Sequence, residues 1–434
     1  VSADPDFAEL IAGRPHLSRH AMDGLVMEQV PLAAIADAVG TPCWVYSAGA
    51  MRARYRSLAA AMGSVGAAVH YAVKANDHLA VIGIFAREGA GADVVSAGEL
   101  LRARRAGMPP HRIVFSGVGK TAADLCLALE QDIAQINVES AAELDMLSAV
   151  ASAMGRTARV VLRINPDVDA GTHAKITTGR ADNKFGIAYA DAVALYARAA
   201  GLPGIAPVGL ALHIGSQITR MAPYAAAYAR TAELVRALRA DGLPVHRLDC
   251  GGGLGIAYRD EATALPAAFA GAIGAALGDL GLELMIEPGR WLVGPAGVLL
   301  ASVVLEKHTG ARRFVVLDAA MNDLVRPAMY DAWHGILPLG PADLVAPTAP
   351  ADIVGPVCES GDTFARDRVL PALAPGARVA ILDAGAYGAV MSSTYNARPL
   401  AAQVMVDGDR WAVIRPRQAL TELWACEAVP EWLA

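Results

Sequence analysis

From about residue 42 to 290 the chain repeats one rhythm. A short apolar run closes on small or polar residues, and an Ala-, Leu- and Arg-rich segment of helical period follows. The runs are VHYAVKAN (69–76), GADVVSAGE (91–99), RIVFSG (112–117), QINVES (135–140), RVVLRINPD (159–167), VGLALHIGSQ (208–217), HRLDCGGGLG (246–255) and ELMIEPGR (283–290). Between them lie helix candidates such as AGELLRARRAG, SAAELDMLSAVASAMG and AAAYARTAELVRALRADG. Eight strand-then-helix units over about 250 residues predict a (β/α)8 barrel of the TIM type. An open doubly wound sheet fits less well, because eight units exceed its usual count and no G-x-G-x-x-G follows the first strand.

After Arg290 the rhythm changes. GVLLASVVLEKHTG, RRFVVLDAAM, ADIVGPVCESGD, ARVAILDAGAYG, LAAQVMVDGD and RWAVIRP are apolar runs separated by turns, with little helix. DGDR (407–410) is a hairpin signal. These runs predict a second, all-β domain, a sandwich or small barrel, so the chain is α/β plus all-β. PCWVYS (42–47) reads as a further strand, which assigns the N-terminal arm to the same domain. The expected division is 1–45 as an arm of the β-domain, 46–295 as the barrel and 296–434 as the β-domain. LPLGPADLVAPTAPAD (337–352) reads as a Pro-rich surface connection.

The 434 residues are too many for one ordinary core and suit two domains. The 54% hydrophobic and 18% charged composition is globular, and a net charge of −6 gives no reason to expect nucleic acid or an anionic membrane as partner. No window approaches the apolar length of a membrane span, and residues 1–30 lack the apolar core of a signal peptide. Cys43, Cys126, Cys250, Cys358 and Cys426 are odd in number and scattered, with no C-x-x-C. That pattern argues against a disulfide framework or a structural zinc site and suits reduced cytoplasm. The ten histidines show no metal-ligand spacing, so no metal is expected.

The residues that look odd for a core gather at the C-terminal ends of the expected barrel strands, the face where such barrels place their chemistry. Lys74 ends the first strand, Asp93 lies in the second, and Arg163 and Asn165 lie in the fifth. His213 ends the sixth, Gly251–Gly253 the seventh, and Glu287 with Arg290 the eighth. Each alone has a plain reading: a salt-bridged lysine, a satisfied core histidine, a tight turn, a capping carboxylate. Together they supply an amine able to form an imine, a flat ring, a glycine-rich anion nest and a carboxylate. That set suits pyridoxal 5′-phosphate, which needs a lysine for its Schiff base and a charged partner at the pyridine nitrogen. Its phosphate needs closely approaching backbone N–H groups, which GGG allows.

The same residues also resemble a known family. YAVKAN, GADVVSAGEL, VFSGVGK, NKFGI, HIGSQI, GGGLGI, EPGR, DAAMNDLVRPAMYDAWH, GPVCESGD, DAGAYG and MSSTYNARP, in this order, are similar to the diaminopimelate decarboxylases. These are fold-type III pyridoxal-phosphate enzymes related to alanine racemase and ornithine decarboxylase. The resemblance runs from about residue 25 to the C-terminus. It implies decarboxylation of meso-2,6-diaminopimelate to L-lysine and CO2, the last step of lysine biosynthesis. Lys74 would then be the Schiff-base lysine, His213 would stack on the cofactor ring, and Glu287 would face the pyridine nitrogen. Ser216, Gly252, Gly253 and the EPGR segment (Glu287, Pro288, Gly289, Arg290) would hold the phosphate. Arg290, Arg326, Tyr330, Glu359 and Tyr387 would line the substrate pocket, Tyr387 also touching the cofactor. Cys358 would protonate the carbon that has lost CO2. The resemblance further implies a homodimer with shared sites, Cys358 and Glu359 reaching the partner's barrel.

The chemistry of that substrate is compatible with the residues. Its two amino-acid ends differ in fate: one reacts, the other must be recognised. Arg290 and Arg326 can each grip a carboxylate in bidentate fashion, and Glu359 can meet the distal ammonium. A carboxylate beside Cys358 favours the protonated thiol that a proton donor requires. Thr363 and Trp333 depart from the residues more usual in the family, leaving room for drift among acyclic diamino acids. Two other readings stay open on sequence alone: a relative acting on ornithine, arginine, a D-amino acid or a carrier-bound amino acid, and a non-catalytic barrel that only binds the cofactor. The long polar stretch 169–186 reads as an active-site lid.

Overall fold

The structure, a computed structural model, describes residues 4–169, 171 and 184–433. The stretch read as a lid lies almost wholly outside the described residues. The chain divides into two compact units. One contains Arg52–Ala257 and Glu261–Leu292; the other contains Val1–Met51, Tyr258–Asp260 and Val293–Ala434.

The first unit is the expected barrel. Its eight strands are Ala67–Ala72, Gly91–Val94, Ile113–Phe115, Gln135–Val138, Ala158–Asn165, Ile205–Ala211, Arg247–Asp249 and Glu283–Ile286. Each pairs in parallel with its neighbours, and the last returns to the first through Leu284–Ala67, Met285–Ala68 and Ile286–Val69, closing the ring. A two-residue strand, Ile187–Ala188, adds to the outer end of the fifth. Strand–helix junctions carry their own start signals. Ser96, Thr121 and Ser140 each accept a hydrogen bond from the backbone N–H three residues on, and that third residue is Glu99, Asp124 or Glu143. An acid there complements the helix N-terminus, so S-A-G-E, T-A-A-D and S-A-A-E mark where chain leaves sheet for helix. The first seven strands are followed by helices of nine residues or more, such as Ala97–Arg105 and Ala222–Ala240; the eighth is followed by the single turn Arg290–Val293.

One boundary differs from the sequence reading. The first strand ends at Ala72, and Lys74 sits in the 3-10 turn Val73–Ala75 that follows. The chain turns there because the Ala72 N–H donates to Pro288 O (3.1 Å) and the Tyr71 hydroxyl donates to Asn76 O (2.8 Å). Lys74 is thereby lifted out of the pleat, where its ammonium would be buried among strand neighbours.

The second unit is all-β. The 13-residue strand Gly297–Thr309 organises it, pairing with Cys43–Ser47 and Arg378–Ile381 along its first half and with Arg312–Leu317 along its second. Cys43–Ser47 also pairs with Ala402–Asp407, which forms the expected hairpin with Arg410–Arg415. The N-terminal arm adds a small sheet, Leu17–His20, Gly24–Met27 and Val30–Pro31. Glu28 pins the arm down, accepting from Ser47 Oγ (2.6 Å), Gly49 N (3.0 Å) and Gly408 N (2.6 Å). The core includes Leu25, Met27, Leu32, Val45, Leu300, Leu337, Leu382 and Val404. Among these lies Cys43, whose thiol burial pushes up to about 12.

The stretch 337–352 is not a surface connection. Ile336–Pro338 pairs with Arg378–Ile381, Thr348–Val354 lies between Arg312–Leu317 and Thr363–Pro371, and Leu337, Leu339 and Leu344 are buried. Proline misleads here because Ile336–Pro338 is an edge strand, where the missing N–H costs no ladder bond. The strand Thr363–Pro371 was likewise unmarked, its charged Arg366, Asp367 and Arg368 masking the alternation.

Candidate active site

At the C-terminal end of the barrel, short local contacts hold the unusual residues together. Lys74 Nζ donates to Asp93 Oδ2 at 2.6 Å, and the Asp93 carboxylate is fully buried with its other oxygen accepting no hydrogen bond. The Lys74 charge also acts on both His213 and Glu287, so amine, ring and acid share one site.

His213 lies two residues beyond the sixth strand. Its Nδ1 accepts the N–H of Gly252 at 3.2 Å, which puts a proton of the neutral ring on Nε2. Burial, then the charges of Arg163 and Lys74, push its pKa well below the usual histidine value and keep the ring uncharged. A neutral flat ring can lie against a cationic heteroaromatic ring without charge repulsion.

The glycine turn after the seventh strand admits no side chain. A Cβ would stand 2.1 Å from Leu212 O at Gly251, 2.0 Å from Glu287 O at Gly252 and 2.2 Å from Gly215 O at Gly253. Gly251 and Gly253 also have φ of +71° and +93°, where L side chains are strained. The helix Ala222–Ala240 holds the turn from behind, with Tyr224 donating to Gly252 O (3.0 Å) and Tyr228 to Cys250 O (3.2 Å). Beside it, Arg290 NH2 donates to Ser216 Oγ at 3.1 Å, and Arg290 is buried.

Glu287 follows the eighth strand. Ser116 Oγ donates to its Oε1 at 3.3 Å, and its backbone N–H donates to Gly251 O at 2.9 Å. Burial, then the charges of Asp249 and Asp93, push its carboxyl well above the usual range, with Lys74 opposing. The barrel thus brings together Lys74, His213, Ser216, Gly252, Gly253, Glu287, Pro288, Gly289 and Arg290. These residues fit pyridoxal phosphate: an amine on a turn, a neutral ring, a Cβ-free cradle and a buried acid.

Several residues of this site escaped the sequence reading. Asp249 and Asn137 lie inside strands, Ser116 one residue past one, and Glu99 at a helix start, positions that read as ladder or cap. The available signal was polarity where a barrel interior is usually branched aliphatic. Burial raises the Glu99 carboxyl to about 7. An acid whose proton is held more tightly in the folded state loses stability as pH rises through that window. Stability should therefore fall between pH 4.5 and 7 through Glu99, by about 1–3 kcal/mol. Urea titrations of Glu99→Gln across that range should show a flatter pH profile.

The all-β unit holds the remaining sequence-predicted residues. Arg326 is buried, its guanidinium 4.7 Å from the Tyr258 ring and its NH1 3.0 Å from His334 Nε2. His334 Nδ1 donates to Leu382 O at 2.7 Å, so Nε2 is the acceptor facing Arg326. Tyr330 ends the same short helix, Arg326–Tyr330. Cys358 and Glu359 are exposed on one loop, tied by Asn396 Oδ1 to the Cys358 N–H (3.1 Å) and by the Tyr395 hydroxyl to Glu359 Oε2 (3.0 Å). Tyr387 adopts a φ of +54°. Among the described residues, no group of three His, Cys, Asp or Glu could hold a metal ion, and no helix is long and apolar enough to cross a membrane.

The fold is that of a pyridoxal-phosphate enzyme of the barrel type, the site's residues fit that cofactor, and comparison with known proteins agrees on the class. Residues 48–294 match the pyridoxal binding domain of the pyridoxal-dependent decarboxylases, the family to which the chain belongs. Relatives 41–50% identical to it are diaminopimelate decarboxylases. The Zymomonas mobilis enzyme is 50% identical over 414 residues, 94% of this chain and 98% of the relative. The crystal structure of the Helicobacter pylori enzyme complexed with L-lysine has a TM-score of 0.88 at 39% identity, covering 91% of this chain and 99% of that one. The M. jannaschii enzyme, also in complex with L-lysine, has a TM-score of 0.92 at 34% identity, covering 97% and 100%.

Proposed function

We propose that this protein decarboxylates meso-2,6-diaminopimelate to L-lysine and CO2. The observation that carries the reading is the 50% identity to a diaminopimelate decarboxylase over 94% of this chain, joined to a barrel end where the Lys74 charge acts on both His213 and Glu287. Bound pyridoxal phosphate supplies an electron sink for the pair left when the carboxylate departs.

The chain's own residues bind, orient and move protons. Lys74 provides the amine that anchors the cofactor, with Asp93 holding its Nζ in place. Ser216, Gly252, Gly253, Pro288, Gly289 and Arg290 would hold the phosphate of the bound cofactor. His213 would lie against its ring, and Glu287 would meet the ring nitrogen. From the β-domain, Arg326 grips a substrate carboxylate, Tyr330, Glu359 and Tyr387 complete recognition, and Cys358 Sγ carries the proton that replaces CO2. Glu359 and Cys358 are exposed, which suits groups that complete a site on a partner subunit, so the working form is a homodimer. The functional division follows the sequence reading, with the cofactor-binding barrel in 46–295 and the flanking segments forming the β-domain. Dispersed cysteines and a biosynthetic reaction suit the cytoplasm.

Purified protein should release CO2 from labelled meso-diaminopimelate and not from lysine or ornithine. Release from another amino acid alone would overturn the substrate assignment. A second measurement concerns Arg326. Its guanidinium is aimed by His334, so His334→Ala should raise KM for diaminopimelate about tenfold, the worth of one hydrogen bond to a charged group. The cofactor absorbance should be unchanged.

A further inference from the structure

Two acids meet inside the barrel. Asp249 closes the seventh strand and Glu287 follows the eighth; both are buried, and one chain of hydrogen bonds links their carboxyl groups, with Asn137 Nδ2 donating to Asp249 Oδ2 and to Ser116 Oγ, and Ser116 Oγ donating to Glu287 Oε1. Two ionised carboxylates buried as neighbours repel one another away from the screening of bulk water, which favours a proton on one of the pair.

The surroundings decide which. Asp249 Oδ1 accepts the Gly251 N–H at 2.9 Å, and its Oδ2 accepts Asn137 Nδ2–H at 3.1 Å. Glu287 accepts the Ser116 hydroxyl at 3.3 Å. Amide donors on both oxygens favour the ionised form of Asp249, while Glu287 has weaker support for a charge. We propose that Asp249 and Glu287 share a single proton, carried on Glu287 with the Asp249 carboxylate as its acceptor. Asp249 is then a positioning residue for the acid that meets the cofactor ring.

The neighbouring charges favour a proton on the pair, and the hydrogen-bond donors decide which acid carries it. Asp93, in the second strand, adds negative charge that disfavours ionising either acid, and Lys74, after the first strand, opposes this at Glu287 while bonded to Asp93. Cys250 and Tyr228, beside Asp249, are both held protonated by burial. Asn137 is itself fixed by Gln135 Nε2 at 2.8 Å, and its Nδ2 also donates to Ser116 Oγ at 3.0 Å. Asp249 therefore fastens two things at once: the acid, through the shared proton, and the glycine turn, through Gly251. The Glu287 N–H to Gly251 O bond closes the loop. The consequence for catalysis rests on Glu287 facing the ring nitrogen: the acid then arrives with its proton in place, and Asp249 keeps the negative charge of the pair.

The test is infrared spectroscopy of the full-length protein freed of cofactor, with circular dichroism to verify folding. The difference spectrum between the protein and its Glu287→Gln variant should contain a carboxylic-acid C=O band at neutral pH. In Asp249→Asn the midpoint of that band's titration should move down by ~1 pH unit or more, because a negative acceptor has been replaced by a neutral amide. A band that survives in Glu287→Gln, or a midpoint unmoved in Asp249→Asn, overturns the proposal. A purely structural Asp249 would leave the midpoint where it was. Should Asp249→Asn fail to fold, Glu287→Gln alone still decides where the proton sits. Failure of the cofactor reading looks different: the band behaves as expected while Glu287→Gln leaves the absorbance of bound pyridoxal phosphate unchanged.

Discussion

Lys74→Ala yields a colourless protein that does not turn over diaminopimelate at a useful rate. The anchoring amine is gone, and kcat should fall by roughly 10³-fold or more, about 4 kcal/mol of barrel-end chemistry. The same substitution strips Asp93 of its cation, leaving a fully buried carboxylate whose partner had been 2.6 Å away. Breaking a fully buried pair costs about 3–5 kcal/mol, and the Lys74 side chain is 33% exposed, so about 1–3 kcal/mol is expected in urea unfolding. Lys74→Arg separates the two effects. It keeps a cation for Asp93 and should restore most of the stability, while colour and turnover stay lost. An Lys74→Ala protein that retains both visible absorbance and activity would remove Lys74 from the site.

The largest purely structural effect is expected at Lys120, in the VFSGVGK segment. Its Nζ is almost completely buried and donates to Gly117 O, Asn137 O and Glu143 Oε1, each at 2.7 Å. The partner carboxylate bridges onward, since Glu143 Oε2 accepts the Glu139 N–H at 3.0 Å. Glu139 in turn accepts from Gly117 N (3.0 Å) and Arg163 NH1 (2.9 Å). Lys120→Met leaves two carbonyls and a buried carboxylate without their donor, so unfolding free energy should drop by about 3–5 kcal/mol. Adding Glu143→Gln removes the stranded charge and should recover part of that loss, a coupling that a double-mutant cycle in urea measures. Additive losses would show that Lys120 serves its carbonyls alone.

Much of this molecule was legible before any coordinates. The eight barrel strands could be read because each is a short apolar run cut off by polar residues, and three of the helices between them begin on Ser or Thr with an acid three residues later. The odd residues at strand ends were visible as odd because lysine, histidine and glutamate do not normally end core strands. Where reading failed, short-range pattern and long-range pairing disagreed. Ile336–Pro338 and Thr348–Val354 carry proline and looked like connection, yet the first pairs as an edge strand and the second pairs on both sides. Thr363–Pro371 carries three charged residues in succession and is still a strand, because it pairs antiparallel with Thr348–Val354 along its length. Lys74 was placed in a strand that in fact stops two residues earlier, since the turn is made by Pro288, more than two hundred positions away.

By itself the sequence determined the barrel, the all-β second unit, the cofactor class and the family, because these rest on local periodicity and on motifs whose residue types are chemically specific. The tertiary structure decided what no linear pattern carries: that Lys74 answers Asp93, that Gly252 selects the tautomer of His213, and that Asp249 and Glu287 meet. Each of these depends on closure of the ring, which sets side chains from separate strands within hydrogen-bonding distance in a buried space. There the charge state of one group is set by neighbours far away in the chain, and a sequence shows the groups without showing the neighbours.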